Sequence, residues 1–239
     1  MSKAIKTLCS LSLCAFLFAS TALAAEASTM TEVQVSGTYQ EDISPDVVYI
    51  NLGTLTEADT IGAVQSKNAE IASNVQQQLE RIGIKTEHIK TSQYAVTPLY
   101  KNEDNRRNYI IKGYQATNNI TVTTTPDKAG EVIDTALTAG CNQVNHLQFG
   151  KKDDDALKNA ALAQAVRNGL NKANAIASAL NKRVVRVKCI TESGINVQNP
   201  ESSNRMYSLK AMAAATPSTP ISAGLLKLDA TVHLVVELD

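Results

Sequence analysis

The stretch DVVYINLGTLT, from Asp46 to Thr56, decides the fold of this chain. It alternates like a strand, with Val48, Ile50 and Leu52 on one face. A helix of about six turns follows, capped by Thr60 or Asp59 and ended by Gly83. Its apolar residues recur at intervals of three, four or seven: Ile61, Val64, Ile71, Val75, Leu79 and Ile82. This single stripe predicts a helix that buries only one side.

The elements after this helix complete a module. They are a hairpin of strands Glu87–Tyr100 and Tyr109–Thr125, a helix that begins at Pro126-Asp127 and ends at Gly140, and a strand Gln143–Phe149. The order strand, helix, strand, strand, helix, strand is that of the ferredoxin-like split βαβ unit. We therefore predict an α+β fold with a ferredoxin-like βαββαβ module at about residues 45–150, its two helices on one face of an antiparallel sheet.

The remaining residues predict a second, smaller α/β module, discontinuous in sequence, from 25–44 and 151–239. An N-terminal strand is expected at Thr31–Thr38, where the alternation of apolar and polar residues ends at Gly37. Two more strands are expected at Arg183–Thr191 and Leu225–Glu237. Asp153 to Asp155 cap a third helix, where negative charge suits the positive end of the helix dipole. Its Ala-rich stripe predicts close packing and consists of Leu157, Ala161, Val166, Leu170, Ala173, Ala177 and Leu180.

Residues 194–224 form a segment of about thirty residues, longer than the loops of compact domains. Its few large apolar residues cannot offset the entropy of ordering it, so we expect a flexible segment. Met206, Leu209 and Met212 follow one another at the spacing of a short helix face. Exposed Met-rich faces suit adaptable association, which makes these residues candidate assembly contacts. A variable surface loop without a role is the alternative.

Residues 1–24 have the features of a secretory signal. Lys3 and Lys6 precede an apolar run of eleven residues, and Ala22-Leu23-Ala24 forms a cleavage site for signal peptidase. The apolar run is too short for a transmembrane helix, and no later stretch comes near the necessary length. Removal of the signal leaves 21 basic and 23 acidic side chains, which excludes a dedicated nucleic-acid binder. We expect a periplasmic protein without a transmembrane segment.

The cysteines and histidines give no signature of a metal site or a nucleophile. His88, His146 and His233 fall on different elements, and no family motif such as G-x-S-x-G is present. Cys141 follows Gly140 at a helix end, where the dipole raises the pKa of a thiol. The structural interpretation of Cys141 is that it is either a small buried residue or one half of a Cys141–Cys189 disulfide. The functional alternative is a small redox-protective enzyme that uses one of these thiols.

The tip of the hairpin carries a further pair of candidate contacts. Arg106 and Arg107 could meet an acidic partner, although a charged tip also prevents edge-to-edge pairing of strands. Four tyrosines on the hairpin could serve an interface, with ordinary strand preference as the alternative: Tyr94, Tyr100, Tyr109 and Tyr114.

A series of short motifs resembles the SIMPL family, also called DUF541, over essentially the whole chain after the signal. No single motif is specific, but their order is. The series is Val33 to Gly37, Pro45-Asp46, Gly53, Ile89 to Thr91, Pro98 to Tyr100, Gly113 to Asn118, Ala139 to Asn145, and Phe149-Gly150, followed by an Ala-rich helix. Cys141 stands where an Ala is more usual, so a role for that thiol cannot come from the family.

The resemblance implies an exported two-module α+β protein without an established enzymatic activity. Members of the family are associated with resistance to oxidative stress, occur as immunogenic periplasmic proteins, and include a ring-like homo-oligomer. We therefore expect a non-enzymatic protein that needs no cofactor and acts by self-assembly or by binding an envelope partner.

Overall fold

The computed structural model describes residues 30–102, 109–152, 155–198 and 219–239. Over these ranges the protein is a mixed α/β structure with two antiparallel sheets and three α-helices. Short 3-10 turns at Thr86–His88 and Pro126–Lys128 precede β3 and α2. The elements are β1 (Thr31–Ile43), β2 (Val47–Ala58), α1 (Ile61–Arg81), β3 (Ile89–Asn102), β4 (Tyr109–Thr124), α2 (Ala129–Ala139), β5 (Gln143–Gly150), α3 (Asp155–Ala179), β6 (Val184–Gln198) and β7 (Leu226–Leu238).

The larger sheet has the strand order β3-β4-β2-β5. α1 connects β2 to β3, and β4 lies between these two strands. The alternation expected for β2 is observed, since Val48, Ile50 and Leu52 are fully buried in a core shared with α1 and α2. Thr60 caps α1 by accepting a hydrogen bond from the main-chain N–H of Ala63. The apolar stripes of both helices therefore cover the same face of the sheet.

The smaller sheet has the strand order β1-β7-β6 and carries α3 on one face. β1 and β7 pair antiparallel along their whole length, from Thr31 opposite Leu238 to Ile43 opposite Leu226. This pairing with β7 holds β1 in the smaller sheet. Phe149, near the end of β5, packs against the cores of both sheets.

Gly37 does not end β1, contrary to the sequence expectation. The strand continues to Ile43. Gly37 instead allows the backbones of β1 and α3 to approach each other closely. A Cβ atom on Gly37 would lie 2.1 Å from the carbonyl oxygen of Ala165, and one on Gly169 would lie 3.2 Å from Cα of Gly37. Glycine is required here by the approach of α3, and not by a bend in the strand.

The buried stripe of α3 differs in part from the expected one. Small residues repeat every four positions on the buried face: Ala161, Ala165, Gly169, Ala173 and Ala177. Val166 and Leu170 are partly buried beside this stripe, whereas Leu180 lies beyond the helix and is exposed. The close packing that the alanines predict is observed, with the helix turned so that its smallest residues face β1. Asp155 is the first residue of α3, while Asp153 and Asp154 lie outside the described residues.

The structure describes only the two ends of the segment 194–224, which the sequence predicts to be flexible. β6 continues through Gly194 to Gln198. At the other end, the N–H of Thr219 donates to Asp134 of α2 at 2.9 Å, and Ile221 packs against the core of the larger sheet. Residues 199–218 lie outside the described residues.

Candidate functional site

A fully buried asparagine interrupts the apolar stripe of α1. Asn68 lies one turn after Val64, at the place where the stripe has its seven-residue gap. Its Nδ2 donates towards the carbonyl oxygens of Thr54 and Ala116, at 3.2 and 3.5 Å, and towards Oγ1 of Thr56 at 3.3 Å. The side chain therefore holds α1 to β2 and β4 through polar contacts inside the core.

The carbonyl oxygen of the same side chain has no hydrogen-bond partner among the described residues. Oδ1 of Asn68 is buried and unpaired, and so is Oδ1 of Asn118 on β4. Leaving a buried acceptor unpaired costs about 1–3 kcal/mol, so native structures seldom keep such atoms without a reason. Both asparagines line one groove, and we take this groove as the candidate functional site.

The groove lies between α1 and the first half of β3 and has a volume of 470 Å³. It forms because α1 packs mainly on β2 and β4 and leaves the face of β3 largely uncovered. Its polar lining consists of amide and hydroxyl groups, and none of its described lining residues carries a charge. The lining residues are Asn68, Ala69, Ala72, Ser73, Gln76, Ile89, Thr91, Tyr94, Asn118 and Ile120. Among the described lining residues, the polar groups are therefore neutral amides, hydroxyls and the phenol of Tyr94, without a carboxylate or a basic side chain.

Cys141 is buried in the core of the larger sheet, just after the end of α2. Its Sγ is 3.6 Å from Oγ1 of Thr54. Burial raises the pKa of the Cys141 thiol above its ordinary value, and the contact with Thr54 acts in the opposite direction. The position of Cys141 at a helix end predicts the same direction of the pKa shift. In the structure the largest cause of the shift is desolvation of the buried thiol. A buried thiol that resists ionisation is a poor nucleophile.

The Cys141–Cys189 disulfide that the sequence left open is not formed. Both cysteines are free thiols, and they belong to different sheets. Cys141 is buried beside the larger sheet, whereas Cys189 is exposed on β6. Of the two structural roles considered for Cys141, the small buried residue is the one observed.

The three histidines lie apart, as their positions in the sequence suggested. His233 on β7 is 3.0 Å from Oγ of Ser36, His88 lies beside Glu87 in the turn before β3, and His146 is on β5. Within the part of the chain that the structure describes, no three His, Cys, Asp or Glu residues come together to hold a metal ion. Nor is any described helix long and apolar enough to cross a membrane.

β6 presents a second notable surface. This edge strand of the smaller sheet is exposed at most of its positions. Three of its apolar residues that pair with the α3-facing side of β7 remain exposed: Val187, Ile190 and Val197. An exposed apolar edge strand is a template for pairing with another chain.

The assembly contacts suggested by the sequence lie outside the described residues. These are Arg106 and Arg107 at the hairpin tip, and Met206, Leu209 and Met212 in the segment after β6. Sequence reasoning missed the groove altogether. Its only signal was the polar Asn68 in an otherwise apolar stripe, four residues after Val64 and seven before Val75.

Comparison with known proteins finds one family over almost the whole described chain. The sequence model of the SIMPL family, described as "Protein of unknown function (DUF541)", matches residues 33–236. The "26 kDa periplasmic immunogenic protein" of Brucella melitensis is 27% identical over 210 residues, which cover 86% of this chain and 84% of that protein. The "Uncharacterized protein YggE" of Escherichia coli K12 is 25% identical over 221 residues, which cover 91% of this chain and 88% of that protein. YggE of Edwardsiella ictaluri is 26% identical, with coverage of 88% and 85%.

Proposed function

Because this chain belongs to the SIMPL (DUF541) family, we propose that it is an exported envelope protein that acts by binding, through self-assembly or a protein partner, and not by catalysis. The Brucella relatives are named periplasmic, which supports a periplasmic location for this chain as well. The features of residues 1–24 support export by a signal peptide. An intact-mass measurement on exported protein should give a chain that begins at Ala25, and a chain that retains residues 1–24 would contradict the proposal.

The observation that carries the binding role is the uncovered surface of β6. This strand is 15 residues long, and among the described strands it pairs with β7 alone. Its other edge therefore offers a row of main-chain donors and acceptors, next to the apolar side chains of Val187, Ile190 and Val197. Three register shifts along β6 restrict which strand can pair with it, and this favours a specific partner over uncontrolled aggregation.

The partner that we propose for this surface is a second copy of the chain. The segment that follows β6 directly in sequence contains the candidate contacts Met206, Leu209 and Met212, which we propose as further contacts between copies. Arg106 and Arg107 remain proposed contacts at the hairpin tip. Assembly through one edge strand and one adjoining segment would create a homo-oligomer without any additional protein.

Light scattering on the mature chain tests this proposal directly. We expect a mass of several subunits for the native chain and a smaller mass for Ile190→Lys, because a charge on β6 opposes apolar contact. Ile61→Lys is the matched control, since Ile61 is exposed to a similar extent, 47% against 50%, but lies at the start of α1. A native chain of one subunit's mass, or an equal loss of mass in both variants, would refute assembly through β6.

We propose that the chain divides into a ferredoxin-like module at residues 45–150 and a second module formed by 25–44 and 151–239. The order β3-β4-β2-β5, in which β4 separates two strands connected by a helix, supports the ferredoxin-like assignment. The two clusters of buried residues, one for each sheet, support the division.

A contribution to oxidative-stress defence is also proposed, through binding and not through thiol chemistry. The alternative is a thiol-dependent redox enzyme, for which the exposed Cys189 would be the better placed of the two thiols. The survival of peroxide by a strain that lacks this protein, complemented with the native chain or with a variant, distinguishes the binding role from the enzyme. Complementation by a Cys141→Ser and Cys189→Ser double variant would support binding, and failure of this variant alongside a successful native chain would support the enzyme.

A further inference from the structure

The face of the larger sheet that points away from α1 and α2 carries a network of neutral polar side chains. Asn51 alternates with the buried residues of β2 and therefore lies on this face. Its Nδ2 donates to Oγ of Ser92 on β3 at 3.0 Å and to Oγ1 of Thr121 on β4 at 3.2 Å. Its Oδ1 accepts a hydrogen bond of 2.9 Å from Nδ2 of Asn145 on β5. Asn51 thus joins all four strands of the sheet through side-chain contacts.

Two β-bulges bring side chains to Asn51 from opposite sides. Ser92 is an extra residue of β3 relative to β4, and Asn145 is an extra residue of β5 relative to β2. A bulge redirects a side chain, and bulges are common beside functional sites. Because each of these two extra residues is hydrogen-bonded to Asn51, both edge strands of the sheet are shaped around the same side chain.

Gly53, two residues after Asn51, leaves room for a cluster of amide groups on the same face. Amides of β4 and β5 lie close to the place where its Cβ atom would be: Oδ1 of Asn119 at 2.7 Å, Oε1 of Gln143 at 2.8 Å and Nδ2 of Asn145 at 3.1 Å. No described residue pairs with the side-chain amide of Gln143, and its polar atoms are not buried, in contrast to Oδ1 of Asn119. Asn145 is exposed as well. The cluster therefore offers hydrogen bonds that a molecule in solution can reach.

We propose that this surface, the amide face centred on Asn51 and Gly53, binds a neutral oligosaccharide. An amide group and a sugar hydroxyl each donate and accept hydrogen bonds, so each can satisfy the other without a charge. Exposed amides with unused hydrogen-bonding capacity among the described residues lie on both sides of Asn51, at Gln93 on β3 and at Gln143 and Asn145 on β5. Four strands at the usual spacing span about 14 Å, which suits a chain of sugars better than a single one.

Tyr49 supplies an apolar surface beside the amide face. It lies two residues before Asn51, on the same side of β2, and its ring is 40% exposed. A sugar ring has C–H groups that pack on an aromatic ring and hydroxyl groups that need polar partners. Tyr49 and the amides of the neighbouring residues provide both kinds of contact on one surface.

The side chains of the network are neutral, so hydrogen bonding and not charge selects the ligand. Two ionisable residues flank the network, since Lys90 is opposite Thr121 and His146 is opposite Asn51 in the strand register. An acidic sugar chain is therefore the competing ligand, and its attraction to Lys90 would be weakened by salt.

Three compounds of four sugar units provide the test: neutral cellotetraose, neutral chitotetraose and acidic tetragalacturonate. Each is titrated into the mature chain in about 150 mM salt, while side-chain amide signals are followed by NMR. We expect a neutral tetramer to shift the signals of Asn51, Gln143 and Asn145 in a saturable manner. The proposal is wrong if neither neutral compound does so. It is also wrong if tetragalacturonate binds at least as tightly as both, because charge would then select the ligand.

Two variants then locate the site. Gln143→Ala removes an accessible amide that has no partner among the described residues, and Tyr49→Ala removes the exposed ring. We expect each to weaken binding about threefold to tenfold, as for the loss of one or two neutral contacts. Gln34→Ala is the matched control, because Gln34 is an exposed glutamine on β1 of the other sheet, and it should bind normally.

Thermal unfolding of each variant establishes that it is folded, and Gln143→Ala decides the matter if Tyr49→Ala is not. Normal binding by either folded variant, or equal weakening by Gln34→Ala, would overturn the assignment to the amide face. The inference does not depend on assembly, because β6 belongs to the other sheet.

Discussion

Replacement of Gly37 by alanine should destabilise the protein more than the same change at Gly62 or Gly169. The new Cβ atom would lie 2.1 Å from the carbonyl oxygen of Ala165 and 2.8 Å from the main-chain nitrogen of Gly169. Real Cβ atoms keep at least 3.0 Å, so α3 must move away from β1 by about 0.9 Å. The contact is with helix backbone, which cannot be relieved by turning a side chain.

The loss of stability depends on the packing between α3 and the smaller sheet, which this shift would loosen. A gap of 0.5–1 Å removes roughly a quarter to a half of the attraction between packed atoms. The loss would fall on the small residues of α3 that face β1 and β7, from Ala161 to Ala177. Overpacking of a core costs about 1–3 kcal/mol, and a clash with backbone belongs at the upper end of this range. We expect about 3 kcal/mol, which corresponds to a fall in Tm of about 6–12 °C for a chain of this size.

Urea unfolding followed by circular dichroism measures this change, with two further variants for comparison. Gly62→Ala is the control, because nothing lies within 4 Å of its new Cβ and alanine favours a helix by up to about 1 kcal/mol. Gly169→Ala should cost less than Gly37→Ala, since its nearest contact is the movable end of Leu234. A Gly37→Ala variant within about 0.5 kcal/mol of the native protein would refute the close approach of α3 to β1.

Three other properties can be measured on the same protein. A thiol reagent should label one cysteine rapidly in the native chain, because Cys189 is exposed and the pKa of buried Cys141 is raised; Cys189→Ser should abolish the rapid phase. Glu237→Gln should reduce the loss of folding stability at acid pH. The two hydrogen bonds from Arg186 lower the pKa of Glu237 below its usual 4.5. The stability that ionised Glu237 contributes is therefore present above pH 4.5 and is lost as the pH falls through the lowered pKa. An unchanged dependence of stability on pH below 4.5 would contradict this. Gly140→Ala should lower Tm, because φ is 119° at this position and the new Cβ would lie 2.8 Å from Ile71, and an unaltered Tm would refute the strained geometry.

Local features of the fold were predictable from the sequence because they depend on neighbouring residues. The faces of β2, the cap of α1 by Thr60 and the end of α2 at Gly140 follow from alternation, helical periodicity and backbone preference. The sheet face that carries Val48 and Ile50 was identified in the same way, since each residue's side is determined by its position in the strand.

The sequence by itself determined which residues are apolar and how they repeat, and this was enough for the elements and the mixed α/β class. Only the tertiary structure decided that Gly37 lies inside a strand, because its constraint comes from Gly169, which is distant in sequence. It alone placed Asn68 in the core with an unpaired oxygen, and it separated Cys141 from Cys189. These features depend on which surfaces meet after the chain folds, and short-range periodicity carries no information about contacts between residues far apart in sequence.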